Sequence, residues 1–335
     1  MKYLSTTAAT LETWTAGKNQ SMEYTGSHKV ILLIIPLFIS TCGSLGNGIV
    51  IWFLSFRIKR NPFTVYILNL AVADISILLG ISIFRLVLLL NPMFRSLTFF
   101  HKNANTFLIL AMMLAFAYNT SLYLLTSISV ERCLSVLYPI WYRCRRPKQQ
   151  SAVVCAILWI LSCLVTLIEY IVCDERSTLS GDVDFMIVEH SQCQAVFILV
   201  CILSFLIFTP LMVLSSLILL VKIKRNSWRH HSSKLYIVIM ATVVLFLLFA
   251  LPMRILMLLS YENRTLPPAI IFDISALFCS INSAANPFVY FFVGSQGQKN
   301  GLSLRIMLQR VFREEAEPRQ QEVGITTGNT TEAEV

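Results

Sequence analysis

Seven stretches of the chain, residues 30–56, 64–90, 105–138, 151–172, 193–221, 234–261 and 269–293, are long and almost wholly apolar. About 20 such residues carry an α-helix across a bilayer. A chain with seven of them is solvated mainly by hydrocarbon, where every backbone amide must be satisfied inside its own helix. The expected fold is therefore an all-α membrane protein, a bundle of seven transmembrane helices. Composition agrees: only 13% of residues are charged, against about a quarter in soluble domains. Little chain remains for a second folded domain. Residues 1–29 form an amino tail, 30–294 the membrane domain, 295–313 an amphipathic segment and 314–335 a polar tail that reads as solvated disorder.

Basic residues set the orientation. Arg57, Lys59 and Arg60 follow the first run, Arg143, Arg145, Arg146 and Lys148 the third, and Lys222, Lys224, Arg225 and Arg229 the fifth. The even-numbered loops carry far fewer. Lysine and arginine stay cytoplasmic, which puts the amino terminus outside and the carboxyl terminus inside the plasma membrane. The net charge of +9 is largely this asymmetry. Clusters that flank the bilayer speak for anionic lipid rather than for nucleic acid as a partner. Residues 1–29 lack the charged start, apolar core and cleavage site of a signal peptide, so the first run is expected to act as its own anchor. Asn19 and Asn263 lie in sequons on the outer side and are the expected glycosylation sites.

Cysteine usage does not suggest a disulfide framework. Cys173 and Cys193 alone flank an outer loop, where oxidation is favoured. Paired, they would constrain the unfolded chain by roughly 3 kcal/mol; the alternative is two free thiols at helix ends.

The chemistry of such a chain lies in its few polar groups at membrane depth. Asp74 is the foremost, because a carboxylate there must be paired, protonated or solvated. Asn47, Ser121, Asn282 and Asn286 are its candidate partners, the last two sharing a helix face. Carboxylate, hydroxyl and amide oxygens together suit a hard cation such as sodium; a protonated acid in a structural network is the equal alternative. Pro210, Pro252 and Pro287 interrupt the fifth, sixth and seventh runs and predict bends. Glu131 and Arg132 end the third run, where an arginine pairs with its neighbour, swings toward a partner, or simply snorkels.

Taken together, Asn47, Leu70–Asp74, Glu131–Cys133, Trp159, Pro210, Pro252 and Asn286–Tyr290 resemble, in order, the rhodopsin-like G protein-coupled receptors across all seven helices. The runs Ser129–Cys144 and Asn282–Ser295 are similar to the Mas-related receptor family. The resemblance implies a rhodopsin-like bundle with a short amphipathic eighth helix, an extracellular ligand, and a heterotrimeric G protein as partner. It implies that Arg132 leaves Glu131 to meet the G protein, that Asn286, Pro287 and Tyr290 rearrange on activation, and that Asp74, Ser121, Asn282 and Asn286 form a core able to hold an allosteric sodium ion. No other cofactor and no catalytic residue is expected.

The departures from the common pattern carry their own expectations. Ala250 stands where a tryptophan is usual and Ile218 where a tyrosine is usual. No acid lies near Ser232 to lock the sixth helix onto Arg132, which predicts a loosely restrained resting state with basal signalling. No cysteine lies near the outer end of the third helix, a Mas-related trait that strengthens the Cys173–Cys193 assignment and implies an open ligand site.

Leu114 replaces the aspartate of amine receptors, which disfavours an amine ligand. The outer-half charges Arg85, Glu169, Arg254 and Asp273 are the candidate ligand contacts, with Asp182, Asp184 and Glu189 in the loop. Relatives that bind cations pair a glutamate like Glu169 with a second acid, and Phe197 stands in that second place. A peptide bearing both charge signs is the expected ligand; the alternative is internal pairing, for instance of Arg254 with Asp273. Threonines 326, 327, 330 and 331 are candidate phosphorylation sites for arrestin. A channel or transporter is the rival class, but it predicts internal repeats or paired broken helices, and the sequence has neither. A membrane enzyme fits less well, for no P-loop or HExxH motif occurs.

Overall fold

Each apolar run becomes a helix. The computed structural model describes residues 26–90, 104–173, 195–225, 233–256, 268–296 and 304–312, and among these all regular structure is helical. Helix α1 is Gly26–Phe56, α2 Pro62–Leu90, α3 Ala104–Leu137, α4 Gln150–Cys173 and α7 Pro268–Ser295. Helix α5 covers 195–225 and α6 covers 233–256. A short amphipathic helix, α8, is Leu304–Phe312, and a single turn, Pro139–Cys144, joins α3 to α4. Seven of the described helices are long and apolar enough to cross a membrane.

Pro210 and Pro252 act through a change of helical pitch. Leu203–Phe208 in α5 and Phe246–Ala250 in α6 are π-helical turns, each ending two residues before a proline. A proline ring collides with the carbonyl four residues earlier and offers that carbonyl no N–H. For Pro210 and Pro252 those carbonyls belong to Leu206 and Leu248, inside the two wide turns. The extra residue per turn absorbs the misfit, and such bulges recur at functional sites. Pro287 lies within the continuous helix α7.

Helix α3 is the axis. In its most apolar stretch of 18 residues 78% are buried, against 28% in the corresponding stretch of α1. It packs on α2, α4, α5, α6 and α7, while α1 closes the ring between α2 and α7. The α1–α7 seam depends on Gly43: a Cβ there would stand 2.5 Å from the Cβ of Ala284. Without a side chain the two backbones approach as small residues allow in membrane bundles. Helix α8 lies on α6 and α7. It buries Leu308, Val311 and Phe312 and leaves Leu304 and Ile306 exposed.

Candidate functional site

Three polar layers are stacked along the bundle. In the first, α2, α4, α6 and α7 bring their charges to one end. Arg85 of α2 pairs with Asp273 of α7. Arg254 of α6 donates through Nη2 to Glu169 Oε1 of α4 at 2.8 Å. Arg85 and Arg254 are each 1% exposed and Glu169 is 4% exposed, while the Asp273 side chain keeps 27% exposure, so of the two couples Glu169–Arg254 is the one buried on both sides. Charges this deep persist only when paired. The Arg254–Asp273 pairing weighed from sequence is therefore replaced by two other couples. The Arg254 guanidinium also lies over the rings of Phe197, 4.8 Å, and Tyr118, 5.7 Å from the centroids. Phe197 thus offers Arg254 a π face where a second acid was looked for. The loop acids Asp182, Asp184 and Glu189 lie outside the described residues, as does Cys193.

The second layer surrounds Asp74, which is 1% exposed. Its Oδ2 accepts from Asn286 Nδ2 at 2.7 Å, tying α2 to α7. Its Oδ1 has no protein partner. Asn47 does not turn to Asp74: its Nδ2 donates to the carbonyls of Gly43, 3.0 Å, and Ser283, 3.1 Å. Ser121, Asn282 and Ser283 line a cavity of about 10 Å³ with Tyr118, Phe246 and Ala250, room for one water-sized sphere. Ala250 leaves open the wall that a tryptophan would fill. Asp74 is not among the residues that line this cavity; carboxylate, hydroxyl and amide oxygens are the ligand types a small hard cation takes. Nearby, Trp159 Nε1 of α4 donates to Asn69 Oδ1 of α2 at 3.0 Å.

The third layer closes the opposite end. Glu131 is gripped from two sides, and Arg132 is on neither. Arg146, beyond the short turn, donates to its two oxygens through Nη2 at 3.0 Å and Nε at 3.2 Å, and Tyr66 donates its hydroxyl at 3.1 Å. Arg146 Nη2 reaches Ser151 Oγ as well, at 2.6 Å. Burial works to lower the Arg146 pKa, but the hydrogen bonds and charge of Glu131 outweigh it and hold the guanidinium above its ordinary value. The expected Glu131–Arg132 pair is thus corrected. Arg132 lies over Phe63, 4.4 Å from the ring centroid, with Nε unpartnered. Phe63 meets Phe312 of α8 at 5.9 Å, and Phe312 meets Tyr290 edge-on at 5.5 Å.

The sequence reading assigned no site role to Arg146, Tyr66 or Phe63, and placed Phe197 without its contact to Arg254. Arg146 looked like one more orientation-setting charge. Only the turn Pro139–Cys144, which brings the chain back beneath α3, distinguishes it from Arg145, which is exposed.

Comparison with known proteins agrees with this architecture. Residues 46–290 match the family described as 7 transmembrane receptor (rhodopsin family). The chain is 52% identical over 308 residues to proto-oncogene Mas of Rattus norvegicus, covering 92% of this chain and 89% of that one. It is 50% identical over 314 residues to proto-oncogene Mas of Homo sapiens, covering 93% and 92%. Against Mas-related G-protein coupled receptor member H of Mus musculus the identity is 42% over 297 residues, covering 88% and 86%. With seven spanning helices around a buried acid, and relatives alike over nearly their whole length, the chain belongs to the rhodopsin-like seven-transmembrane receptors, in their Mas-related branch, and is a multi-pass G protein-coupled receptor of the cell surface, not an enzyme.

Proposed function

We propose that this receptor binds an extracellular peptide carrying both charge signs and passes the event to a heterotrimeric G protein. The observation that carries the reading is the pair of ionic couples at one end of the bundle, the part-buried Arg85–Asp273 and the fully buried Glu169–Arg254. Each holds an anion and a cation that a ligand of matching groups can take over. A peptide carboxylate exchanges with Glu169 for Arg254, and a peptide cation exchanges with Arg254 for Glu169. Only when both exchanges occur together, as a peptide of both charge signs allows, is no buried charge left alone, and the swap then costs far less than breaking a pair outright. The Glu169–Arg254 couple joins α4 to α6, and exchange there frees α6, whose π turn and Pro252 lie just inward, to swing its cytoplasmic end.

The same reading places the amino terminus outside and the carboxyl terminus in the cytosol, glycans on Asn19 and Asn263, and a disulfide between Cys173 and Cys193. Arg132 leaves the Phe63 ring to meet the G protein, while Asn286, Pro287 and Tyr290 rearrange beside it. A sodium ion would be held by Asp74, Ser121 and Asn282, with Asn286 keeping Asp74 in place. When bound, it supplies a positive charge that offsets the buried carboxylate. Arrestin on the phosphorylated tail and anionic lipid along the basic loops complete the set of partners.

The test is a peptide-library screen read by nucleotide exchange on reconstituted G protein, repeated on Glu169→Ala and Arg254→Ala. The proposal expects peptides that activate the native receptor to lose at least about tenfold in potency on one variant or both, the cost of one charge-assisted contact. Peptides that act equally on all three receptors overturn the assigned site, and ion flux through liposomes without nucleotide exchange overturns the receptor mechanism.

A further inference from the structure

Lys234 stands at the start of α6, and its ammonium reaches across to the end of α7. Nζ donates to the carbonyls of Gln296 at 2.7 Å and Gly294 at 3.3 Å. The last carbonyls of a helix have no partner within it and carry the negative end of its dipole. A lysine there is a C-terminal cap, but this one is supplied by a different helix. The same corner is where α8 comes closest: a Cβ on Gly294 would stand 2.7 Å from the carbonyl oxygen of Met307. Three helices meet at one point, with a single cation on α6 and its acceptors on α7.

We propose that Lys234 is a positioning residue for G protein activation, holding the cytoplasmic end of α6 against α7 in the resting receptor. It does the work of the arginine–acid lock for which the sequence has no acid near Ser232. Arg132 does not supply that restraint, because it lies over Phe63. The inference rests on the reading that α6 swings outward to admit the G protein. Both bonds share one ammonium, so they break together, and the swing meets an all-or-none resistance.

The experiment uses the full-length receptor in nanodiscs, with the exposed Cys144 and Cys163 replaced by serine and spin labels on Ile237→Cys and Phe292→Cys. Both of those positions are exposed, one on α6 and one on α7. The α6–α7 distance distribution is recorded without ligand for the native lysine, Lys234→Met and Lys234→Arg. Methionine keeps the length and loses the donors; arginine keeps both. Lys234→Met is expected to move population to longer distances and to raise basal nucleotide exchange about fivefold or more, with Lys234→Arg close to the native receptor in both. An unchanged distance distribution in Lys234→Met, or an equal shift in Lys234→Arg, overturns the proposal whatever the exchange assay gives. Distances that widen in Lys234→Met alone, with no exchange on any heterotrimer, uphold the latch and count against the G protein reading itself.

Discussion

The guanidinium of Arg132 rests 4.4 Å from the centre of the Phe63 ring, while the carboxylate of its neighbour Glu131 belongs to Arg146. Adjacent residues on a helix point about 100° apart, and the two side chains have used that divergence to take separate partners. Glu131 is anchored to the loop that follows α3. Arg132 is held by an aromatic series, Phe63, Phe312 and Tyr290, drawn from α2, α8 and α7. A cation on a ring face is released at a cost of about 0.5–2 kcal/mol, less than breaking a buried ion pair. The geometry therefore separates anchoring the end of α3 from poising Arg132.

Double-mutant cycles should register that separation. Glu131→Ala and Arg146→Ala are expected to couple by about 1–3 kcal/mol in receptor stability, because each removes the other's buried partner. Glu131→Ala with Arg132→Ala should be nearly additive. Thermal melting of purified single and double variants measures both. A Glu131–Arg132 coupling as large as that for Glu131–Arg146 would restore the neighbour pair.

At the other end, Arg254→Ala leaves Glu169 buried without its ion partner and should destabilise by about 3–5 kcal/mol. Phe197→Leu keeps the pair and removes one ring from the guanidinium, for about 0.5–2 kcal/mol. Arg254→Ala combined with Glu169→Ala should recover much of the loss of the first variant. Surface expression and melting temperature read the order. A double variant worse than the sum of its parts would show that each charge has a further partner.

Much of this was legible in the sequence, for a physical reason. Hydrocarbon forbids unsatisfied amides, so apolar length alone locates the helices: the run 64–90 became Pro62–Leu90 and 269–293 became Pro268–Ser295. Asn286 was one of four candidate partners for Asp74, a short set because a carboxylate at that depth has few polar groups to choose from, and the structure selects it and turns Asn47 elsewhere. The outer charges were read as one group, and the one internal pairing weighed among them, Arg254 with Asp273, gives way to Arg254 with Glu169 and Arg85 with Asp273. Which arginine meets which acid depends on helix rotation, and helices as uniformly apolar as α2 and α6 carry almost no sequence signal for it. Phe63 and Phe197 were hidden for the opposite reason, since an aromatic ring in a membrane helix is ordinary until a cation lies over it.

Sodium should stabilise the receptor beyond its ionic strength. With Asp74 Oδ1 lacking a protein partner, the melting temperature in sodium chloride should exceed that in equal potassium chloride. At 100 times the dissociation constant the gain is about 2.7 kcal/mol. Asp74→Asn removes the charge and should abolish the difference between the two salts while leaving the bundle folded. Equal melting in both salts for the native receptor would assign the buried acid to the structural network instead.

The α1–α7 seam offers a test that involves no charge. A methyl group on Gly43 would lie 2.5 Å from the Cβ of Ala284 and 2.8 Å from its Cα, and the second of these is backbone that cannot rotate away. Gly48, one turn further along α1, has only the tip of Ile75 nearby, at 3.7 Å, which is ordinary contact. Gly43→Ala should therefore push the helices apart at a cost of about 1–3 kcal/mol. It should also strain the Asn47 bond to the Ser283 carbonyl, which crosses the same seam. Gly48→Ala should be neutral or slightly stabilising, since alanine favours a helix by about 1 kcal/mol over glycine. Melting of the two variants side by side checks the packing directly, and equal effects would mean that α1 does not approach α7 as closely as described.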